Sequence, residues 1–139
     1  MERSKDWMDQ AIGDLEHARS DMDRGFYNWA CFSTQQSADN AVKAVFQKMG
    51  AEAWGHSVLD QLLELSKRHP VPEELIEGAL ELDKAYIPTR YPNAHPSGSP
   101  KDRYTRGETG RLILHCEKII RSCQDFLSRI CQRETDQTA

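Results

Sequence analysis

Apolar residues recur along this chain at steps of three and four, the spacing that lines one side of a helix. Between residues 4 and 23, Trp7, Ala11, Leu15, Ala18 and Met22 form one such stripe. The other side carries Asp6, Asp9, Asp14, Glu16, Asp21 and Asp23, so the first helix is expected to be acidic outside and to stop at Gly25. A longer second helix is expected over 27–49. There Trp29, Phe32, Ala38, Ala41, Val42, Val45, Phe46 and Met49 make a wide apolar face, which Gly50 closes. Its small residues Ser33, Ser37, Ala38, Ala41 and Ala44 leave room for a neighbouring helix. A third helix over 57–68 would turn Val58, Leu59, Leu62, Leu63 and Leu65 inward, with His56-Ser57 at its N-terminal cap and Pro70 stopping it. Pro72, Glu73 and Glu74 suit the first turn of a fourth. Leu75, Ile76, Ala79, Leu80, Leu82 and Tyr86 carry that helix on until Pro88. Thr105 and Glu108 fit a capping box for a last helix. Its stripe is Leu112, Cys116, Ile119, Cys123, Phe126, Leu127 and Ile130.

No alternating strand pattern and no internal repeat interrupts this series. The expected fold is therefore all-α: an antiparallel up-and-down bundle of four main helices plus a shorter fifth, the fourth segment in chain order being the short one. It would occupy residues 1–132 as one domain, with a polar tail over 133–139 that frays.

One segment breaks the periodicity. Pro88, Pro92, Pro96 and Pro100, with Gly98, exclude an α-helix over 88–104. Within it, Thr89-Arg90-Tyr91-Pro92-Asn93-Ala94-His95-Pro96 brings an arginine and a histidine close together in a stiff loop. Loops held on a rigid scaffold are where function concentrates. Arg90 supplies a fixed charge with forked donors, and His95 can titrate near neutral pH, a pairing suited to phosphate.

Charge strengthens that reading. The 139 residues carry a net charge of −4. Residues 84–111 hold Lys84, Arg90, Lys101, Arg103, Arg106 and Arg111 against Asp102 and Glu108. The net charge argues against a broad nucleic-acid footprint, and the basic window reads either as an exposed loop with solvated charge or as a local anion site on an acidic body that repels polyanions elsewhere. At 38% hydrophobic and 29% charged residues, the composition is that of a folded globular protein. No apolar run approaches the roughly 18 residues that span a bilayer. The opening Met1 to Asp6 does not resemble a signal peptide, so a cytoplasmic location and no membrane partner are expected.

Arg90-x-x-x-x-His95 has the spacing of metal-independent ribonuclease motifs. In such a site the histidine moves the proton and the arginine stabilises charge on the phosphoryl oxygens. The arginine and histidine content of this chain yields about one such match by chance, so the spacing alone decides little. Tyr91, held extended before Pro92, is expected to plug the bundle end. Lys43 lies one turn from Asp39, as in an i,i+4 ion pair. His17, His69 and His115 lack metal-ligand spacing, and no cofactor motif is present, so neither metal nor cofactor is expected. Cys31, Cys116, Cys123 and Cys131 form no Cys-x-x-Cys pair and are expected as buried, reduced thiols.

Three blocks together resemble the HEPN domain family. Trp7-Met8-x-x-Ala11-x-x-Asp14-Leu15-x-x-Ala18 looks like its first helix. Phe32-x-x-Gln35-Gln36-Ser37-Ala38-Asp39-Asn40-Ala41-Val42-Lys43-Ala44-Val45 is similar to its second. His56-Ser57-Val58, then Asp83-x-x-Tyr86-x-x-Thr89-Arg90-Tyr91-Pro92, complete the likeness, and this last stretch with residues 100–105 is also similar to the HEPN domain at the end of sacsin. The resemblance implies a helical bundle, often a homodimer, and frequently a minimal nucleotidyltransferase as partner in a toxin–antitoxin pair. Its first functional implication is binding of a nucleotide or other phosphate-bearing ligand, with Arg90 and Arg103 on phosphate and Lys43 as a weaker contact. The alternatives are a metal-independent endoribonuclease using Arg90 and His95, and a structural dimerisation module. Ribonuclease members carry a small polar residue after the arginine where this chain has Tyr91-Pro92, which ranks binding first.

Overall fold

The computed structural model describes residues 2–87 and 89–138, with side chains described through residue 130. Pro88, the Cys131 side chain and the side chains of the expected tail lie outside the described residues. Helix α1 runs Ser4–Asp23, α2 Tyr27–Lys48, α3 Val58–Ser66, α4 Glu73–Asp83 and α5 Arg106–Thr138. Between α4 and α5 the prolines exclude a longer helix, and among the described residues there are two single 3₁₀ turns, Pro92–Ala94 and Pro100–Asp102. Among the described residues there is no strand, and no helix is long and apolar enough to cross a membrane.

Helix direction follows from the cross-contacts. Ser33 Oγ meets His17 Nδ1, the Ser37 hydroxyl donates to the Ala11 carbonyl, and Asn40 Nδ2 donates to Asp14. From the Ser33 contact to those of Ser37 and Asn40 the partners on α1 move back from His17 to Ala11 and Asp14, and only residues 24–26 separate the helices, so the two are antiparallel. Gly25 makes the reversal possible at φ +83°, a conformation that disfavours any side chain. Ala30, Ala38, Ala41 and Ala44 on α2 have no exposed surface, so α2 sits at the centre and touches α1, α3, α4 and α5. Cys31 faces Thr109 and Ser37 faces Cys116, which sets α5 parallel to α2. Glu74 pairs with Lys118 and Glu81 with His115, which sets α4 antiparallel to α5. As a result α2 and α5 begin, and α4 ends, at the same end of the bundle.

Several expected details differ. At nine residues α3 is shorter than α4, with eleven, because the chain leaves the helix at Ser66, ahead of Pro70. Leu63 and Leu80 stand in solvent. The buried positions of α3 are Val58, Gln61, Leu62 and Leu65, a strict helical stripe that skips Leu63 and places a glutamine inside. Trp29 also lies outside the core, half-exposed at 49%. Cys31, Cys116 and Cys123 are buried free thiols, as expected. Burial pushes Cys31 up to about 11 and the other two up to about 12. They pack as small apolar groups rather than as nucleophiles.

Candidate anion-binding site

A polar ladder on α2 shapes the end of the bundle. Asn28, Gln35, Asp39 and Lys43 follow one another at helical steps, and each reaches across to a loop or to another helix. Lys43 Nζ donates to Asp39 and to the Gly55 carbonyl at 2.7 Å. Asp39 is 1% exposed and also accepts from Gln61 Nε2 at 2.8 Å and His56 Nδ1 at 3.0 Å. Gln35 Nε2 donates to the His56 carbonyl at 2.6 Å. Asp83, at the end of α4, accepts from Ser57 Oγ and from the backbone N–H of Val58 and Leu59. It therefore satisfies two donors that the first turn of α3 cannot pair internally. Ser57 itself caps α3 by accepting from Asp60 N, as its sequence position suggests. The loop before α3 is fixed on both sides.

The second loop is fixed differently. Thr89 is fully buried; its hydroxyl donates to the Ala85 carbonyl and its own carbonyl accepts from Asn28 Nδ2 at 3.1 Å. This anchors the next residue, Arg90, over the start of α2. The Arg90 guanidinium carbon lies 4.3 Å from the Phe32 ring centroid, 5.0 Å from that of Tyr86 and 5.2 Å from that of Tyr91. Its Nε and Nη2 donate to the Tyr86 carbonyl at 3.3 and 3.2 Å. Among the described residues no carboxylate pairs with it. Cation–π contact with three faces holds the group without discharging it. Tyr91 does not plug the bundle: extended backbone turns it outward to 47% exposure, and its ring lies against Arg90 instead. Trp29 sits edge-on to Phe32 at 6.3 Å, and His56 stacks on Tyr86 at 5.3 Å. Trp29, Ile87 and Tyr91 leave apolar surface exposed around the cation.

The other expected site residues are distributed around this cage. His95 lies beyond the first 3₁₀ turn, edge-on to Tyr104 at 5.9 Å, so it and Arg90 engage different rings of the same loop region. Burial lifts the Tyr104 phenol to about 12. Arg103 Nη2 donates to Ser97 Oγ at 2.7 Å and crosses Gly98 so closely that a Cβ there would lie 2.7 Å from that nitrogen. Lys43 stands behind His56, its ammonium engaged by Asp39 and Gly55. Lys84 and Arg111 line a cleft of ≈ 250 Å³ with Glu81, Tyr104 and Glu108. Sequence reasoning did not assign Phe32, Tyr86, Asp39 or His56 to the site. The available signal was polar residues at helical steps along the otherwise apolar α2.

At one end of the helical bundle an arginine without a carboxylate partner among the described residues sits in an aromatic setting, an arrangement whose cation could meet a phosphate and whose rings could meet a base. The chain belongs to the HEPN domain family, whose model matches residues 4–126. It is similar to the crystal structure of a Thermus thermophilus protein, with 44% identity and a TM-score of 0.85 over 94% of this chain and 99% of that one. A HEPN domain protein from Thermotoga maritima shares 61% identity with a TM-score of 0.74, covering 88% of this chain and 98% of its own. An archaeal HEPN homologue shares 35% identity with a TM-score of 0.78, covering 91% and 99%. Among curated proteins none matches.

Proposed function

We propose that this HEPN domain binds a phosphate-bearing ligand, a nucleotide or a short single-stranded RNA, at the end of the bundle where α2 and α5 begin. The observation that carries the reading is the Arg90 guanidinium, pinned against Phe32, Tyr86 and Tyr91 with no carboxylate partner among the described residues. A side chain held in this way loses little conformational freedom on binding, and phosphate is the complement of its charge and fork. Arg103 supplies a second cation on the same loop, and exposed Tyr91 and Trp29 supply faces on which a base stacks. Lys43 supports the site from behind by neutralising Asp39. The acidic remainder of the surface confines a polyanion to this end.

The apolar surface of Trp29, Ile87 and Tyr91 is the part of the site a second copy would cover, which supports the homodimer implied by family membership. Analytical ultracentrifugation of wild type and Trp29→Ser tests this; a monomer at all concentrations speaks against it. The minimal nucleotidyltransferase partner rests on family resemblance alone, and co-elution of the two proteins is its test.

The binding reading is tested by calorimetric titration of ATP, GTP and a single-stranded RNA hexamer in EDTA. The expected result is binding that weakens with added salt and falls at least tenfold in Arg90→Ala with the fold intact. Absence of heat with all three, from a folded protein, contradicts it.

A further inference from the structure

Gln61 joins the Asp39 network to a pocket of ≈ 270 Å³ whose lining includes Phe46, Glu52, Trp54, Asp60 and Glu64. Gln61 is 4% exposed, and its Nε2 donates to Asp39 Oδ1 at 2.8 Å. Asp39, ionised beside Lys43, only accepts, so the amide cannot be turned round and Oε1 is left as an acceptor. That oxygen is buried and has no hydrogen-bond partner among the described residues. An acceptor stranded in this way carries a desolvation cost that a donor entering the pocket would remove. The rest of the lining favours a donor with positive charge. Glu64 pairs with Lys67 at 2.8 Å, but among the described residues neither Glu52 nor Asp60 has a basic partner. Asp60 lies in the first turn of α3, where the helix end keeps it ionised. Trp54 is 83% exposed although its loop is anchored, with Gly55 turning at φ +77° and Lys43 Nζ holding the Gly55 carbonyl. An indole face presented in this way attracts a cation.

We propose that this pocket binds an alkylammonium group, carried by a free short-chain amine or by a lysine side chain of another protein. The ammonium meets Glu52 and Asp60, Gln61 Oε1 takes one of its N–H donors, and the alkyl stem lies along Trp54 and Phe46. An inorganic cation fits less well. Among the described residues no three Asp, Glu, His or Cys side chains are grouped closely enough to hold a metal ion, so the carboxylates suit a larger, organic cation. A guanidinium offers a planar fork for one bidentate carboxylate, whereas an ammonium spreads three donors over separate side chains, which is how the acceptors are supplied here. At ≈ 270 Å³ the space is below the range of about 300–1,000 Å³ that takes drug-sized ligands, and it suits a body the size of a side chain. The pocket shares no residue with the cage of Phe32, Tyr86 and Tyr91 around Arg90, and its charge is opposite.

The test is calorimetric titration of the full chain, at constant ionic strength, with butylammonium, putrescine, a blocked lysine (acetylated and amidated) and uncharged n-butanol. The expected result is saturable binding of the ammonium compounds and none of the alcohol. Tighter binding of putrescine than of the blocked lysine identifies a free amine as the ligand, and the reverse order identifies a protein lysine. Trp54→Ala should weaken butylammonium binding about threefold or more. The double variant Glu52→Gln, Asp60→Asn should weaken it about tenfold or more, and Gln61→Met by a similar factor. Should Gln61→Met unfold, the other two variants, which alter exposed side chains, still decide. The same loss of charge elsewhere on the surface, Glu16→Gln with Asp125→Asn, should leave the affinity unchanged. No saturable binding of any ammonium compound overturns the proposal. So does equal affinity in wild type and the Glu52, Asp60 variant, or an equal loss in the Glu16, Asp125 variant, which would reduce the effect to the general acidity of the surface.

Discussion

The two loops that meet at the end of this bundle are held by opposite means. The loop before α3 is tied by ions: Asp39 is shared among Lys43, Gln61 and His56, and Asp83 takes three donors from the start of α3. The loop after α4 is tied by one buried threonine, one asparagine and a set of aromatic rings, while Arg90 keeps an uncompensated charge among the described residues. In the first loop charge is spent on structure. In the second, packing supplies the structure and the charge stays available. The anion recognition proposed for this end of the bundle needs the second arrangement, with the first as a rigid wall beside it.

This contrast predicts different responses to mutation. The largest loss of stability is expected from Asp39→Ala, which leaves the Lys43 ammonium, only 12% exposed, without its counter-charge. Breaking a buried pair in this way costs about 3–5 kcal/mol, read from urea unfolding. Asp83→Ala comes next. It strips two backbone donors of α3 and a serine hydroxyl of their acceptor, a loss of about 2 kcal/mol in the same measurement. Arg90→Ala should behave in the opposite sense. Its cation–π contacts are worth about 1 kcal/mol of stability, yet ligand affinity should fall at least tenfold. A variant of Arg90 that unfolds the protein while sparing affinity would collapse the distinction between the loops.

Gly98→Ala sharpens the comparison on a smaller scale. Gly98 has φ +76°, and its missing Cβ is what lets Arg103 cross it. Alanine there should cost about 1 kcal/mol and displace Arg103, weakening ligand binding less than Arg90→Ala does. The smallest effect concerns the thiols behind both loops. Burial raises Cys116 and Cys123 from the ordinary 9.0 to about 12, so the folded state holds these protons more tightly than the unfolded chain. Their contribution is therefore complete below pH 9 and is lost as pH rises from there towards about 12. Urea midpoints across that range should decline, and should decline less in the Cys116→Ala, Cys123→Ala double variant.

The helices were legible because their signals are local. The stripe of α1, the stops at Gly25 and Gly50, and the caps at Ser57 and Thr105 all follow from residues within one or two turns of each other. Arg90 stood out because prolines mark its loop. The partners of Arg90 did not, because Phe32 and Tyr86 carry ordinary core signals and reach the guanidinium only through tertiary packing. Asp39 is the more instructive miss. Its i,i+4 relation to Lys43 reads as an ion pair within one helix, and only the fold shows it buried with a histidine from another loop. Gln61 hid in the same way, as a polar residue on an inward stripe.

The central claim is that Arg90, caged but uncompensated, is the anion contact. The most direct test is a pair of calorimetric titrations with a single-stranded RNA hexamer, on wild type and on an Arg90→Ala protein shown by its urea curve to be folded. The account predicts salt-sensitive binding to wild type and at least a tenfold loss in the variant. Equal affinity for both proteins would contradict it.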